Sequence, residues 1–188
     1  GLLGRQRERN LEKRVPPGQA LSEDFPVLSI KPTPPVDLAA WNFMLRHRAK
    51  PLKTWNWDEF NALPKTKMTR DIHCVTTWSK LDTIWEGVTF DDILTDAGLA
   101  EPPTPYILAY AVEGYTTNVP VKDLIGGKAM IATHYEGKPL EPEHGGPARL
   151  LVPHLYFWKS AKWVTGLKFT EEDTLGFWEL RGYHAYGD

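Results

Sequence analysis

Proline and glycine interrupt this chain so often that neither a long helix nor a long strand can be read from it: 16 Pro and 15 Gly fall among 188 residues. The clearest element is Tyr106-Ile107-Leu108-Ala109-Tyr110-Ala111-Val112, an apolar, β-prone run closed by Pro105 and Gly114. Strand patterns of the same scale recur at Trp41 to Leu45, Thr66 to Val75, Ala129 to Tyr135, Leu150 to Pro153 and Trp163 to Phe169. Asn56 to Phe60 reads as a capped helical turn that stops before Pro64, and Pro120 to Leu124 as another turn. Thr89 is an N-cap ahead of the acidic pair Asp91 and Asp92, so a short helix runs from there towards Gly98. Gly137-Lys138-Pro139 marks a further turn. With no βαβ rhythm and no internal repeat, the pattern predicts an α+β domain, mixed and mainly β, with short helices in its loops.

Residues 1–20 read as an N-terminal arm ending at Val15-Pro16-Pro17-Gly18, and residues 21–188 as one domain. That length buries a sizeable core without staples. Ile30 to Val36 is proline-rich and reads as extended linker or edge structure. The 22 basic and 24 acidic side chains leave a net charge of −2, which provides no general field for nucleic acid or an anionic membrane. No apolar run approaches the roughly 20 residues that span a bilayer. No signal-peptide pattern is visible and the cytoplasm is the expected location, although a chain beginning at Gly1 leaves a processed leader open. Most of the eight Trp are expected in the core.

The single cysteine, Cys74, lies in Asp71-Ile72-His73-Cys74-Val75-Thr76-Thr77-Trp78-Ser79. One cysteine forms neither an internal disulfide nor a CxxC pair. Three readings remain: a small buried hydrophobe, a reactive thiol, or a lone thiolate on a metal held mainly by other groups. Asp71, His73 and Ser79 crowd the segment with polar groups that a plain core strand would replace with apolar ones. A nucleophile would need a histidine as its base. Adjacent His73 suits that poorly, since strand neighbours point to opposite faces, which leaves His144 or His154.

Two later segments carry chemistry. In Glu143-His144-Gly145-Gly146-Pro147-Ala148-Arg149, two glycines and a proline set the backbone path and could let it approach a ligand, while His144 and Arg149 flank it with donors. The plain alternative is an ordinary turn. In Pro153-His154-Leu155-Tyr156-Phe157-Trp158-Lys159-Ser160-Ala161-Lys162-Trp163, two cations and a hydroxyl lie among aromatics. That composition suits a phosphate beside a flat heterocycle. Single-stranded nucleic acid competes for such a pattern, but no RNA-binding signature accompanies it. A strand with water-facing lysines is the bland reading.

Cys74-Val75-x-x-Trp78-Ser79 with Trp85 beyond it, Gly146-Pro147-x-Arg149-Leu150-x-x-Pro153 and Lys159-Ser160-x-Lys162 together resemble the sulfite oxidase-like molybdopterin oxidoreductases. The likeness extends to the catalytic subunit of the periplasmic methionine sulfoxide reductase and to short single-domain bacterial and archaeal members, which share Asp-x-His-Cys and the Gly-Phe-Trp-Glu of Gly176 to Glu179. The resemblance spans roughly Phe25 to Asp188.

It implies a molybdenum cofactor of the mononucleotide-free kind, with Cys74 as the protein thiolate on the metal. It further implies that Arg149, Lys159 and Lys162 hold the pterin's phosphate or ring, joined by His144, Ser160, Trp78, Ser79 and the backbone around Phe157 and Trp158. His73, Asp71, Tyr115 and His144 are candidates for moving protons near the metal. The implied reaction is two-electron oxygen-atom transfer on a small oxyanion or sulfoxide-type substrate, with a cytochrome or flavoprotein as electron carrier. Departures accompany the match. His144 stands where the reductase branch has Asn, Phe157 replaces a glycine, and no arginine next to Cys74 matches the sulfite-reading one. The chain has no room after Asp188 for a dimerisation or haem domain, so a monomer is expected. A metal-free Cys/His thiol enzyme and a non-catalytic pterin- or ligand-binding module are the alternatives.

Overall fold

The structure, a computed structural model, describes residues 20–21, 37–73, 78–152 and 161–172. Among the described residues, eleven strands and two short α-helices form two mixed sheets. In the first sheet β1 (Ala20–Leu21) runs parallel to β5 (Trp78–Thr89), and β4 (Thr66–His73), β8 (Met130–Tyr135), β9 (Lys138–Pro139) and β10 (Arg149–Leu151) pair antiparallel. The second has the order β3-β2-β11-β6-β7, built from β2 (Asn42–His47), β3 (Lys50–Asn56), β6 (Tyr106–Ala111), β7 (Thr116–Pro120) and β11 (Val164–Thr170). Here only β2 and β11 pair in parallel. This is the mixed, mainly β architecture that the sequence predicts.

Local chemistry explains the helices. In α1 (Trp57–Asn61) the Asn56 side chain accepts from the Glu59 amide at 2.8 Å while the Glu59 carboxylate accepts from the Asn56 amide at 3.1 Å, a reciprocal capping box. In α2 (Phe90–Asp96) the Thr89 hydroxyl accepts from the Asp92 amide at 3.2 Å. The Asp91 carboxylate accepts from the amides of Gly126 and Gly127 at 3.0 and 2.8 Å, tying the loop before β8 to this helix.

One core joins both sheets: Phe43, Leu45, Ile107, Ala109, Leu167 and Phe169 from the second meet Val88, Ile131 and Leu150 from the first, closed by Phe60 of α1 and Ile93 and Leu94 of α2. Period-2 alternation then decides what lies on the other side of the first sheet. Ile131 and Leu150 enter the shared core, whereas Met130, Ala132 and Leu151 join Met68 of β4 and Trp85 of β5 in a second cluster. Arg149 is two positions from Leu151 and so belongs to that second face.

The chain reaches β10 through a tight turn from Pro142 to Pro147, whose Gly146–Pro147 peptide is cis. Gly145 ends the 3-10 turn Pro142–His144 in the left-handed region at φ 98°, and a Cβ there would press on Lys162 at 3.0 Å. A Cβ on Gly146 would lie 2.0 Å from the Leu140 carbonyl oxygen. Both glycines are therefore explained by chain-on-chain approach.

Two predictions follow from these contacts. Gly146→Ala drives a methyl into the Leu140 carbonyl, and overpacking of that kind costs about 1–3 kcal/mol. Thermal melts are expected to show a midpoint lower by about 2–10 °C at this chain length. The second concerns Asp96, whose carboxylate accepts from the Trp55 indole N–H at 2.7 Å and pairs with the Lys53 ammonium at 2.9 Å. The hydrogen bond from Lys53, then that from Trp55, hold the Asp96 carboxyl below its ordinary value. Because the folded value lies below the unfolded one, this contribution is present above the unfolded carboxylate pKa and is lost as pH falls through the folded one. Asp96→Asn keeps an acceptor for the indole and flattens that acid limb, at a cost under about 1 kcal/mol near neutrality for so exposed a pair. Asp96→Ala strands the N–H of buried Trp55 and costs more, about 1–3 kcal/mol. Denaturant melts of both variants from pH 3 to 7 distinguish the two effects.

Candidate functional site

Two segments separated in sequence meet at the start of β10. The Leu150 amide donates to the Ala161 carbonyl at 2.9 Å, Val164 to Ala148 at 3.1 Å and Trp163 to Gly145 at 3.1 Å. The Trp163 indole N–H reaches the Pro142 carbonyl at 2.7 Å. Trp163 adopts φ 51°, unusual for a bulky residue, and this set of bonds holds it there. Lys162 is fixed by the same seam. Its ammonium donates to the Glu143 carbonyl at 2.9 Å and lies 5.5 Å from the Trp163 ring centre.

Arg149 is the centre of the arrangement. It is 1% exposed, one of the largest fully buried side chains described. Its Nη1 donates to the His144 carbonyl at 2.8 Å, and its guanidinium carbon lies 6.0 Å from the centre of the Trp85 ring. Both cations are held by backbone carbonyls of one turn, Arg149 by that of His144 and Lys162 by that of Glu143. Burying a guanidinium is costly, so a cation held on this face of the sheet suits an anionic ligand. A phosphate-bearing pterin fits that donor set: a planar fork, an ammonium, and an imidazole on the same turn.

Of the residues singled out in the sequence, His144, Arg149 and Lys162 meet at this seam. Tyr115 lies one short turn away: its carbonyl accepts from the Ala111 amide at 2.9 Å, and the Val112 amide donates to the Trp163 carbonyl at 3.2 Å. Tyr115 is half-buried and packs on the main core. The backbones of Asp71, His73, Trp78 and Ser79 meet in the β4–β5 hairpin, where His73 faces Ser79 and Ser79 also faces Leu21 of β1. Asp71 lies at a bulge, with Leu81 and Asp82 of β5 opposite it, a feature common near active sites. Cys74, Phe157, Trp158, Lys159 and Ser160 lie outside the described residues.

The two groups occupy different rows of one sheet. Arg149 faces Ala132, and Ala132 faces Gly87, whereas the cysteine follows His73, which faces Ser79. Gly87 and Ser79 are separated by about 26 Å of strand path. The turn from Pro142 to Pro147 precedes β10 on its cysteine-ward side, and the Arg149 guanidinium reaches Trp85, two residues towards that end. Trp85 and Thr83 are the residues of this site to which the sequence reading gave no role. The available signal was the tryptophan within the cysteine segment's pattern. Among the described residues no group of three or more His, Cys, Asp or Glu side chains could hold a metal ion, and no helix is long and apolar enough to cross a membrane.

Residues 30–178 match the family described as the oxidoreductase molybdopterin binding domain. The chain is 42% identical over 187 residues to an uncharacterised oxidoreductase, YuiH, of Bacillus subtilis, covering 99% of this chain and 94% of that one. It is 28% identical over 153 residues to the provisionally named protein-methionine-sulfoxide reductase subunit YedZ1 of Azospira oryzae, covering 81% of this chain and 57% of the relative. In fold it matches the sulfane dehydrogenase SoxCD of Paracoccus pantotrophus with a TM-score of 0.65 at 20% identity, over 74% of this chain and 40% of the other. On the extent of the family match, and on an identity that runs nearly end to end with the Bacillus protein, this chain belongs to the oxidoreductase molybdopterin binding domain family.

Proposed function

We propose that this protein is a molybdenum-cofactor oxidoreductase that carries out two-electron oxygen-atom transfer on a small oxyanion or sulfoxide-type substrate, with Cys74 as the protein's ligand to the metal. The observation that carries the reading is the fully buried Arg149, held beside Lys162 at the start of β10 in a chain of the molybdopterin-binding family. When bound, the cofactor supplies the redox change that accompanies oxygen transfer.

The chain's own residues bind and orient it. Arg149 presents a planar fork, one arm of which is fixed by the His144 carbonyl. Lys162 adds a point charge from the facing segment, bound to the Glu143 carbonyl of that turn. Lys159, Ser160, Phe157 and Trp158 precede Lys162 by a few residues and join it in the proposed pterin contacts. Cys74 supplies a thiolate, the soft ligand that a dithiolene-bound metal accepts, and metal binding keeps that sulfur deprotonated. Trp78 and Ser79 open β5 on the far side of the cysteine. His73, Asp71, Tyr115 and His144 are the candidate proton-transfer groups. An external cytochrome or flavoprotein completes turnover.

The test begins with protein purified from a host that makes molybdopterin, analysed for molybdenum, for pterin and for visible absorption. About one molybdenum and one pterin per chain are expected. Cys74→Ser is expected to remove the thiolate-to-metal absorption and lower the molybdenum content. An unchanged spectrum and metal content in that variant eliminates cysteine ligation. Arg149→Met, which keeps an apolar stem without the charge, is expected to lower pterin content about 10–100-fold. A preparation that never acquires pterin in such a host rules out the whole assignment. Alkylation of Cys74 that abolishes a metal-free activity supports the thiol enzyme instead.

A further inference from the structure

We propose that Trp85 is a positioning residue for Arg149: its indole face holds the buried guanidinium in the place from which it meets the cofactor's anionic group. The inference rests on the cofactor reading above, which makes Arg149 an anion-binding group.

Four observations build it. Trp85 and Thr83 are both fully buried, and the Trp85 indole N–H donates to the Thr83 hydroxyl at 2.7 Å. That bond fixes the ring plane, since an indole offers a single donor and here it is engaged. Tyr135 packs against the indole, ring centres 4.7 Å apart and planes tilted by 50°. The Arg149 guanidinium carbon lies 6.0 Å from the Trp85 ring centre, at the outer limit of an attractive cation–ring contact. Met68 and Leu151 fill the same cluster, so the contact is shielded from water and the ring's quadrupole acts through a low dielectric.

A long, flexible side chain needs more than one restraint to aim its head group. The His144 carbonyl restrains Nη1 along one direction, at 2.8 Å. The indole adds a restraint of another kind, because the cation gains by remaining over the ring. Trp85 sits on β5 and Arg149 on β10, with β8 between them, so the contact couples the strand that follows the cysteine to the strand that carries the arginine. Trp85 touches no substrate in this scheme and acts through Arg149 alone.

The experiment is a double-mutant cycle read out on cofactor dissociation. The cofactor-loaded fraction of the parent, Trp85→Leu, Trp85→Phe, Arg149→Met and Trp85→Leu/Arg149→Met is diluted, and release of pterin and molybdenum is followed in time as a fraction of the amount each variant initially holds. Thermal midpoints are recorded for each. Trp85→Leu is expected to release pterin about 10–100-fold faster, the range seen when a residue that orients a ligand is removed. Trp85→Phe keeps a weaker aromatic face and is expected to fall between parent and Trp85→Leu. In the Arg149→Met background, Trp85→Leu is expected to add less than about 2-fold, because the group through which the ring acts is gone.

Equal effects of Trp85→Leu with and without Arg149 overturn the proposal and leave Trp85 as core packing. If Trp85→Leu does not fold, Trp85→Phe is compared in both backgrounds, and the same equality overturns it. Unchanged release in Arg149→Met defeats the cofactor role of Arg149 itself, and the inference with it. Slow release in Trp85→Leu beside fast release in Arg149→Met defeats the inference alone.

Discussion

The seam between residues 142–150 and 161–164 is the constraint on which the rest depends. β10 belongs to the first sheet and β11 to the second, so the bonds from Leu150 to Ala161, Val164 to Ala148 and Trp163 to Gly145 cross from one sheet to the other. The backbone groups involved lie among buried residues, where an unpaired N–H or carbonyl costs as much as a lost hydrogen bond. Trp163 is bound through its amide, its carbonyl and its indole. A residue in a sparsely populated backbone region persists only where its surroundings over-determine it, and three bonds do so here. The seam also aligns Lys162 with the turn that carries His144 and Arg149.

A buried guanidinium is a poor device for stability, since desolvation offsets most of what its partners return. Replacing Arg149 by an apolar residue among Met68, Trp85, Met130 and Leu151 would extend a cluster that is already apolar. The glycines of the turn divide differently. The sequence reading let Gly145 and Gly146 bring backbone close to a ligand, but their missing side chains make room for Lys162 and the Leu140 carbonyl. They permit the turn, and the turn places the arginine.

Elements with local signatures were legible. Asn56 and Glu59 announce α1, Thr89 announces α2, and the apolar run from Tyr106 to Ala111 forms β6, buried at alternate positions. Five of the described strands escaped, among them the two-residue β1 beside the arm. β5 is the longest at 12 residues, yet a bulge opposite Asp71 shifts its phase, so no single alternation runs through it. β3 carries Pro51 and two lysines at an edge of its sheet. β7 buries Thr117 and Asn118, polar residues that resemble a loop in sequence. Lys138 and Pro139, read as part of a turn, form β9 after it. In the site, residues whose chemistry is their own (Arg149, Lys162, His144) could be read from sequence. Trp85 could not be given a role, because its part depends on a pairing through β8 that only the fold creates.

His144 shows how a position can vary while its structural task stays fixed. What Arg149 takes from this residue is the backbone carbonyl, which every amino acid supplies. His144 ends the short 3-10 turn that Gly145 closes, and it presents that carbonyl to the guanidinium. The anchoring of the arginine is thus insulated from the side chain at position 144.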